Sequence, residues 1–224
     1  MPTLETPLAR PPTLKAEKVA YWYFRLNGFF LIENFVLHPG RRGSQLTDAD
    51  LLVVRFPDRA EFVFDHQTPM RDDEDTLSLS SGRIEMAVVE VKGANQLCAL
   101  NDTWTVQERQ NVHRVLAVIG CVPHYLIPEV AARIYEQGSA EHANIRIRLV
   151  SVGRTENPDL AECFPRALQI TWPRILGFVW DRFTLYANQK SQVDQWDAQG
   201  RLLRSLALGR EREDFISEVL SRLV

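Results

Sequence analysis

The sequence has few of the residues that build disulfide frameworks, zinc sites or membrane spans. Its three cysteines, Cys98, Cys121 and Cys163, are widely spaced and form no Cys-X-X-Cys pair. This pattern argues against disulfide-rich and zinc-ribbon proteins and is typical of reduced thiols, so we expect a cytoplasmic protein. The longest apolar runs are far shorter than the roughly 20 residues that cross a bilayer, so we expect no membrane contact.

The chain also lacks an excess of positive charge, internal repeats and low-complexity tracts. It has 29 acidic and 26 basic residues among 224, with a formal net charge of -3. A nucleic-acid partner would therefore have to be bound by a local basic patch. Residues 1–12 have no apolar segment of the secretory type, and we expect them to form a flexible tail. The acidic run at residues 72–75 (DDED) is interpreted as a solvated loop.

The hydrophobic periodicity predicts helices and strands that alternate along the chain. A first helix is expected at 14–27, with Thr13 as its N-cap and Gly28 just past its end. The other predicted helices cover 105–119, 128–136, 173–188 and 211–223, and the predicted strands cover 29–37, 51–56, 84–91 and 144–152.

These elements predict an α/β (α+β) fold with a mixed central sheet flanked by helices. A core is expected over residues 13–155, with a C-terminal helical extension, 156–224, packed on it. Residues 57–83 form a polar excursion in this prediction, with a short strand at 61–64. For the segment 194–206 (DQWDAQGRLLRSL), the pattern allows either a strand-turn-strand or a loop.

Two opposite charges end an otherwise apolar strand in the stretch MAVVEVKGA. Glu90 and Lys92 share a face, because residues two apart in a strand point the same way. Asp50 precedes another buried strand, and it would approach Glu90 if the two strands were neighbours. Two such carboxylates repel unless a cation compensates them, and Mg²⁺ is a suitable one. A structural ion pair between Glu90 and Lys92 is the alternative, and Asp48 competes with Asp50.

The pattern Glu17, Asp50 and Glu90-Val91-Lys92 resembles the restriction-endonuclease-like superfamily of PD-(D/E)XK phosphodiesterases. Its members carry a Glu on a helix, an Asp on a strand and then (Asp or Glu)-X-Lys on the next strand. Glu17 precedes Gly28 by eleven residues, as in the small resolvase-like members. The resemblance covers about residues 14–155, although the proline before the family's Asp is absent.

The resemblance implies a metal-dependent nuclease with Mg²⁺ or Mn²⁺ as cofactor and nucleic acid, DNA rather than RNA, as partner. Asp50, Glu90 and the backbone of Val91 would hold the metal. Lys92 would assist the attacking water, and Glu17 would support the metal. A nuclease fold without turnover, which binds nucleic acid or a protein, is the alternative, and a homodimer is left open.

Several further residues could contact the substrate or pack in the core. The resemblance suggests a fifth site residue at Gln107 or Gln110, while the excursion 57–83 could cover the site. Asn101 and Trp104 are expected in the core. Two interpretations of the remaining basic residues are left open: they are scattered solvated charges, or they form a phosphate-binding patch. These residues are Arg41, Arg42, Arg146, Arg148, Arg154, Arg166, Arg174, Arg182 and Lys190.

Overall fold

The computed structural model describes residues 12–37, 47–63 and 67–224. It confirms the predicted fold class, because a six-stranded mixed sheet is flanked by helices. None of the helices within these ranges is both long and apolar enough to cross a bilayer.

The strands are β1 (Phe30–Leu37), β2 (Thr47–Arg55), β3 (Ile84–Val91), β4 (Ser139–His142), β5 (Ile145–Gly153) and β6 (Leu168–Thr171). The helices are α1 (Ala16–Leu26), α2 (Glu74–Leu77), α3 (Asp102–Thr105), α4 (Asn111–Ile119), α5 (Ile127–Gln137), α6 (Pro158–Cys163), α7 (Trp172–Leu185), α8 (Ala198–Leu208) and α9 (Arg212–Arg222), with 3₁₀ turns at Gln107–Arg109 and His124–Leu126.

The strand order is β1-β2-β3-β5, and both β4 and β6 pair with the free edge of β5. β1, β2 and β3 are antiparallel neighbours, whereas β5 runs parallel to β3 and to β6. β4 pairs with the first half of β5 and β6 with its last residues. The segment beyond residue 155 therefore adds a strand to the sheet as well as helices.

The sheet is buried on both faces, as the near-continuous apolar run of β3 predicts. Ala87, Val89 and Val91 point into a core formed with α1, α7, α8 and α9. Met86 and Val88 point into a second core, formed with α3, α4 and α5. The two cores hold the strands in place from both sides, and with them the polar residues at the ends of the strands.

The start of the first helix differs from the prediction. α1 begins at Ala16 with Lys15 at the N-cap position, so the expected cap at Thr13 is wrong. Leu14 is instead fully buried and forms a parallel bridge with Leu223 at the other end of the chain. The predicted end is confirmed, since Gly28 has the positive φ of +77° that favours glycine after a helix.

Two other segments also depart from the prediction. The expected helix at 105–119 is broken, because Gln110 has a left-handed φ of 54° and α4 begins only after it. The segment 194–206 contains most of α8, which is neither of the two predicted alternatives. Asp197 caps this helix by accepting a hydrogen bond from Gly200 N at 2.7 Å.

The acidic run at residues 72–75 is only partly solvated, which corrects the prediction of a solvated loop. Asp72 accepts hydrogen bonds from Arg55, Arg59 and Arg182. Asp73 accepts one from Tyr23 Oη at 2.8 Å. Glu74 and Asp75 are exposed. The expected short strand at 61–64 is reduced to a single bridge between Phe62 and Pro69, and residue 64 lies outside the described residues.

Candidate functional site

Asp50 and Glu90 come together because β2 and β3 are antiparallel neighbours. Their ladder ends at the pair Leu51 and Val89, which places Asp50 and Glu90 next to each other beyond it. There the Val91 amide donates to Asp50 Oδ2 at 2.7 Å. The carboxylate thus accepts a hydrogen bond of the kind that a backbone carbonyl accepts in a regular strand pair. The predicted approach of the two carboxylate-bearing positions is therefore confirmed. Asp50 lies inside β2, whereas the sequence placed it at the mouth of the strand.

Glu90 is a buried carboxylate that accepts hydrogen bonds from three side chains. It is only 5% exposed. Its Oε1 accepts from Lys92 Nζ at 2.9 Å and from Asn101 Nδ2, and its Oε2 accepts from Trp104 Nε1 at 3.2 Å. A buried charge is tolerated when it is paired and hydrogen-bonded in this way.

Lys92 is fixed through both its backbone and its side chain. Its amide donates to Val152 O at 2.9 Å, and its carbonyl accepts from Trp172 Nε1 at 3.1 Å. Besides the bond to Glu90, Nζ donates to Asn101 Oδ1 at 2.8 Å. The ammonium is therefore preoriented beside the two carboxylates.

Asn101 and Trp104 belong to the site, although the sequence pointed to core packing for both. Trp104 is indeed fully buried, so that expectation is confirmed, but its indole N–H also orients Glu90. Asn101 is exposed, so the expectation of core packing is wrong for it, and its amide bridges Glu90 and Lys92. The available signal was the position of LNDTW directly after the Glu-X-Lys strand, where a polar side chain can fold back onto the strand end.

The pKa of Asp50 is raised to about 6, mainly because the carboxyl group is partly buried. The neighbouring charges of Glu90 and Glu17 raise it further, while the Val91 amide and the charge of Lys92 lower it. Asp50 therefore lacks enough positive charge around it to compensate its ionised form. Glu17, on α1, acts on Asp50 through its charge, and no described hydrogen bond joins the two side chains.

We expect the Asp50→Asn protein to be more stable than the wild type at about pH 8 in the presence of a chelator. The raised pKa means that the folded protein binds this proton more tightly than the unfolded chain does, so ionisation of Asp50 costs stability. The cost develops as pH rises from the ordinary value of 3.8 to about 6 and is complete above that. The Asn side chain removes it while its oxygen still accepts from Val91.

Urea unfolding at about pH 8 and pH 4 measures this effect, with the advantage of the variant expected to vanish at the lower pH. The exposed Asp194 offers a matched control, Asp194→Asn, for which no such pH-dependent gain is expected. An Asp50→Asn protein that is less stable than the wild type at about pH 8 would contradict the proposed stability cost of ionised Asp50.

The backbone of β1 is irregular beside Asp50. Asn34 has a left-handed φ of 49°. Its neighbours Glu33 and Phe35 pair with Leu51 and Ala49, the residues on either side of Asp50. Asn tolerates this conformation better than most residues. Left-handed residues within a strand are uncommon and occur preferentially near functional sites.

The structure does not bring the predicted site residues Gln107 and Gln110 to Asp50 and Glu90. Gln107 and Gln110 are exposed, and no hydrogen bond of the described residues joins either of them to the site. Arg41 and Arg42 lie outside the described residues. Asp48 pairs through its backbone with Val36, two positions farther from Glu90 than Asp50 is. Asp50 is therefore the better placed of the two aspartates.

The excursion 57–83 is attached to the sheet at the end opposite to Asp50 and Glu90. It joins the end of β2 to the start of β3, where Arg55 pairs with Glu85. Five residues of strand, about 17 Å, separate Glu85 from Glu90. The described parts of the excursion, 57–63 and 67–83, bond to Arg55 and Asn27 at this other end, so their contacts do not support the expectation that the excursion covers the site.

No three His, Cys, Asp or Glu side chains within the described ranges are grouped so that they could hold a metal ion together. Mg²⁺, however, is commonly held by one or two carboxylates, with waters as the remaining ligands. Asp50 and Glu90 offer such oxygens, and the raised pKa of Asp50 marks a carboxylate that a divalent cation would stabilise. The donor set of the site thus fits a hard divalent cation.

Comparisons of the chain with protein-family models, curated proteins and solved structures gave no match. The resemblance to PD-(D/E)XK enzymes thus stays a prediction from the residue pattern. What the structure adds to that pattern is the meeting of Asp50, Glu90 and Lys92 at one end of two neighbouring strands.

Proposed function

We propose that the protein is a metal-dependent nuclease that hydrolyses phosphodiester bonds, with DNA rather than RNA as substrate. One observation carries this proposal: Asp50 and Glu90, on neighbouring strands, meet beside the preoriented ammonium of Lys92. Two carboxylates and a lysine at one strand end supply the oxygen ligands and the positive charge that phosphodiester hydrolysis requires.

Asp50 and Glu90 would hold Mg²⁺ or Mn²⁺, with the Val91 carbonyl as a further ligand and Glu17 as a nearby negative charge. The bound metal would polarise the phosphate and lower the pKa of a bound water. The two carboxylates differ in burial and anchoring. Asp50 is partly exposed, whereas Glu90 is buried and anchored by Trp104 and Asn101.

Lys92 would orient the attacking water and stabilise negative charge on the phosphate. Its Nζ has three hydrogens, and the bonds to Glu90 and Asn101 use two of them. The third is available to a water or a phosphate oxygen. Because both contacts hold Nζ in place before the substrate binds, little reorganisation is required when charge develops.

Binding of DNA would need local positive charge, since the chain as a whole carries -3. Arg41 and Arg42 belong to the connection between β1 and β2, whose flanking residues Leu37 and Thr47 lie toward the same end of the sheet as Asp50. The two arginines themselves lie outside the described residues, and their contact with phosphates stays a prediction from the sequence.

A nuclease fold without turnover is the second candidate function. The observation that favours it is the hydrogen bonding of Glu90, whose two oxygens already accept from Lys92, Asn101 and Trp104. A carboxylate held in this way can serve as a purely structural strand-end ion pair. Such a protein would bind nucleic acid or a protein partner without a metal.

Calorimetric titration with Mg²⁺, and with Mn²⁺ as a tighter-binding probe, separates the two functions. A nuclease should take up metal saturably, and Asp50→Asn and Glu90→Gln should each weaken this uptake by at least about tenfold, because each removes a charged ligand. Glu129→Gln is the matched control, since Glu129 lies on α5 in an exposed pair with Arg133. Absence of saturable uptake by the folded wild type would favour the alternative.

A further inference from the structure

A polar cavity lies on the face of the sheet opposite to Glu90 and toward the end of the sheet opposite to Asp50. It has a volume of about 530 Å³ and is lined by residues of β4, β5, the segment before β6 and the start of β6, among them Ser139, Glu141, Arg146, Arg148, Arg166 and Leu168. It forms where the free edge of β5 passes from β4 to β6.

This cavity is separate from the candidate nuclease site. Arg146 pairs with Glu85 and Arg148 with Ala87 in the parallel register, so both arginines share the face of Ala87. Glu90 lies on the opposite face, against Trp104.

The cavity has more positive than negative charge. The carboxylate of Glu85, which is 1% exposed, accepts from Arg146 Nε at 2.9 Å and from Arg148 Nη2 at 3.2 Å. Two guanidinium groups thus share one carboxylate. Arg166 adds a third and has no ion pair among the described residues. Glu141 also lines the cavity, but its charge is balanced by its ion pair with Arg83. The three other arginine charges against the carboxylate of Glu85 leave two uncompensated.

Arg148 is a buried donor that lacks a complete set of acceptors. It is 6% exposed, and its Nη2 donates to Leu77 O at 2.8 Å and to Glu85. Its Nε has no hydrogen-bond partner among the residues that the structure describes. Burial lowers its pKa to about 10, and the side chain therefore remains charged near neutral pH. A buried, charged donor without an acceptor is costly, and Arg148 lines the cavity in which an anionic ligand would add negative charge beside its guanidinium group.

We propose that this cavity binds a phosphate dianion, as inorganic phosphate or as the phosphomonoester of a small molecule. The two uncompensated charges match a dianion, and guanidinium groups form paired hydrogen bonds with phosphate oxygens. Contacts to Glu85 and the Ser78 carbonyl orient Arg146 before the ligand arrives. Pro165, Ala167 and Leu168 line the remaining wall and offer an apolar surface to the organic part of a monoester.

Calorimetry with inorganic phosphate, ribose 5-phosphate and succinate tests this proposal on the full chain. We expect saturable binding of phosphate or of ribose 5-phosphate, weakened at least about tenfold by Arg166→Gln. Arg166 is exposed, so this variant should fold normally. Tighter binding of ribose 5-phosphate would assign the site to monoesters, and equal affinities would assign it to inorganic phosphate.

Two controls keep the result independent of the nuclease proposal. Arg133→Gln removes an exposed arginine on α5 and should leave phosphate binding unchanged. Asp50→Asn should also leave it unchanged, because Asp50 lies at the other end of the sheet. The proposal would be overturned if neither phosphate probe bound saturably, if succinate bound as tightly, or if Arg133→Gln weakened binding as much as Arg166→Gln.

Discussion

The Lys92→Ala protein is expected to lose metal-dependent DNA cleavage by about 10²-fold to 10³-fold while it remains folded. The loss follows from the position of Nζ, which is held between Glu90 and Asn101 and has one hydrogen left for a water or a phosphate oxygen. Removal of the ammonium leaves the negative charge of the transition state without this donor. Glu90 keeps its bonds from Asn101 and Trp104, so the strand end stays intact.

Cleavage of a supercoiled plasmid, followed over time at saturating Mg²⁺, measures this loss. The metal titration should be nearly unchanged in Lys92→Ala, because a lysine is not a ligand, and this separates catalysis from metal binding. Lys18→Ala is the matched control, since Lys18 pairs with Glu33 on the surface of α1 and β1. Activity of Lys92→Ala within about threefold of the wild type would contradict the proposed role.

The Asp72→Asn protein is expected to lose about 3–5 kcal/mol of its free energy of unfolding. Asp72 accepts from Arg55 at 2.9 Å, from Arg59 at 2.6 Å and from Arg182 at 2.6 Å. The carboxylate is the shared counter-charge of three arginines, two of them fully or almost fully buried. Removal of its charge would leave the guanidinium groups of Arg55 and Arg182 buried without a paired carboxylate, whereas Arg59 keeps its bond to Glu61.

Arg182 makes this effect large because it has few other partners. It is 1% exposed, and burial lowers its pKa. Within the described part of the chain, its Nε and Nη1 have no hydrogen-bond partner. The rings of Phe178 and Tyr186 lie 5.2 Å and 5.5 Å from its guanidinium carbon and supply only a weak attraction. Asp72 is therefore its principal source of negative charge.

Urea unfolding at about pH 7 measures the loss for Asp72→Asn. Asp75→Asn is the matched control from the same acidic run, and it should change stability by less than about 0.5 kcal/mol because Asp75 is exposed. A loss of less than about 1 kcal/mol for Asp72→Asn would show that water or other groups compensate the arginines.

Much of the candidate site follows from local patterns. The alternation along β3 places Glu90 and Lys92 on one face whatever the rest of the chain does, because side chains alternate along every strand. The apolar run after Asp50 predicts a buried strand, and its pairing with β3 follows from the tendency of successive strands to be neighbours. These inferences need only the period of the side chains and the order of the elements.

Other residues of the site depend on how the chain folds back. Asn101 reaches Glu90 only because the segment after β3 turns onto the strand end, and Trp104 does so from the second core. Gln107 and Gln110 were predicted on a continuous helix, yet the left-handed Gln110 interrupts it. Such a break depends on the tertiary packing around it, which overrides helical periodicity.

The sequence by itself determined the mixed α/β class, the buried strands and the shared face of Glu90 and Lys92, because these follow from spacing along one element. Only the tertiary structure decided that Asp72 is enclosed by three arginines and that Arg146, Arg148 and Arg166 surround a cavity. Whether a charged side chain is solvated or buried depends on the elements that pack over it. Those elements lie far away in the chain, as Asp72 and Arg182 show, and local periodicity carries no information about such contacts.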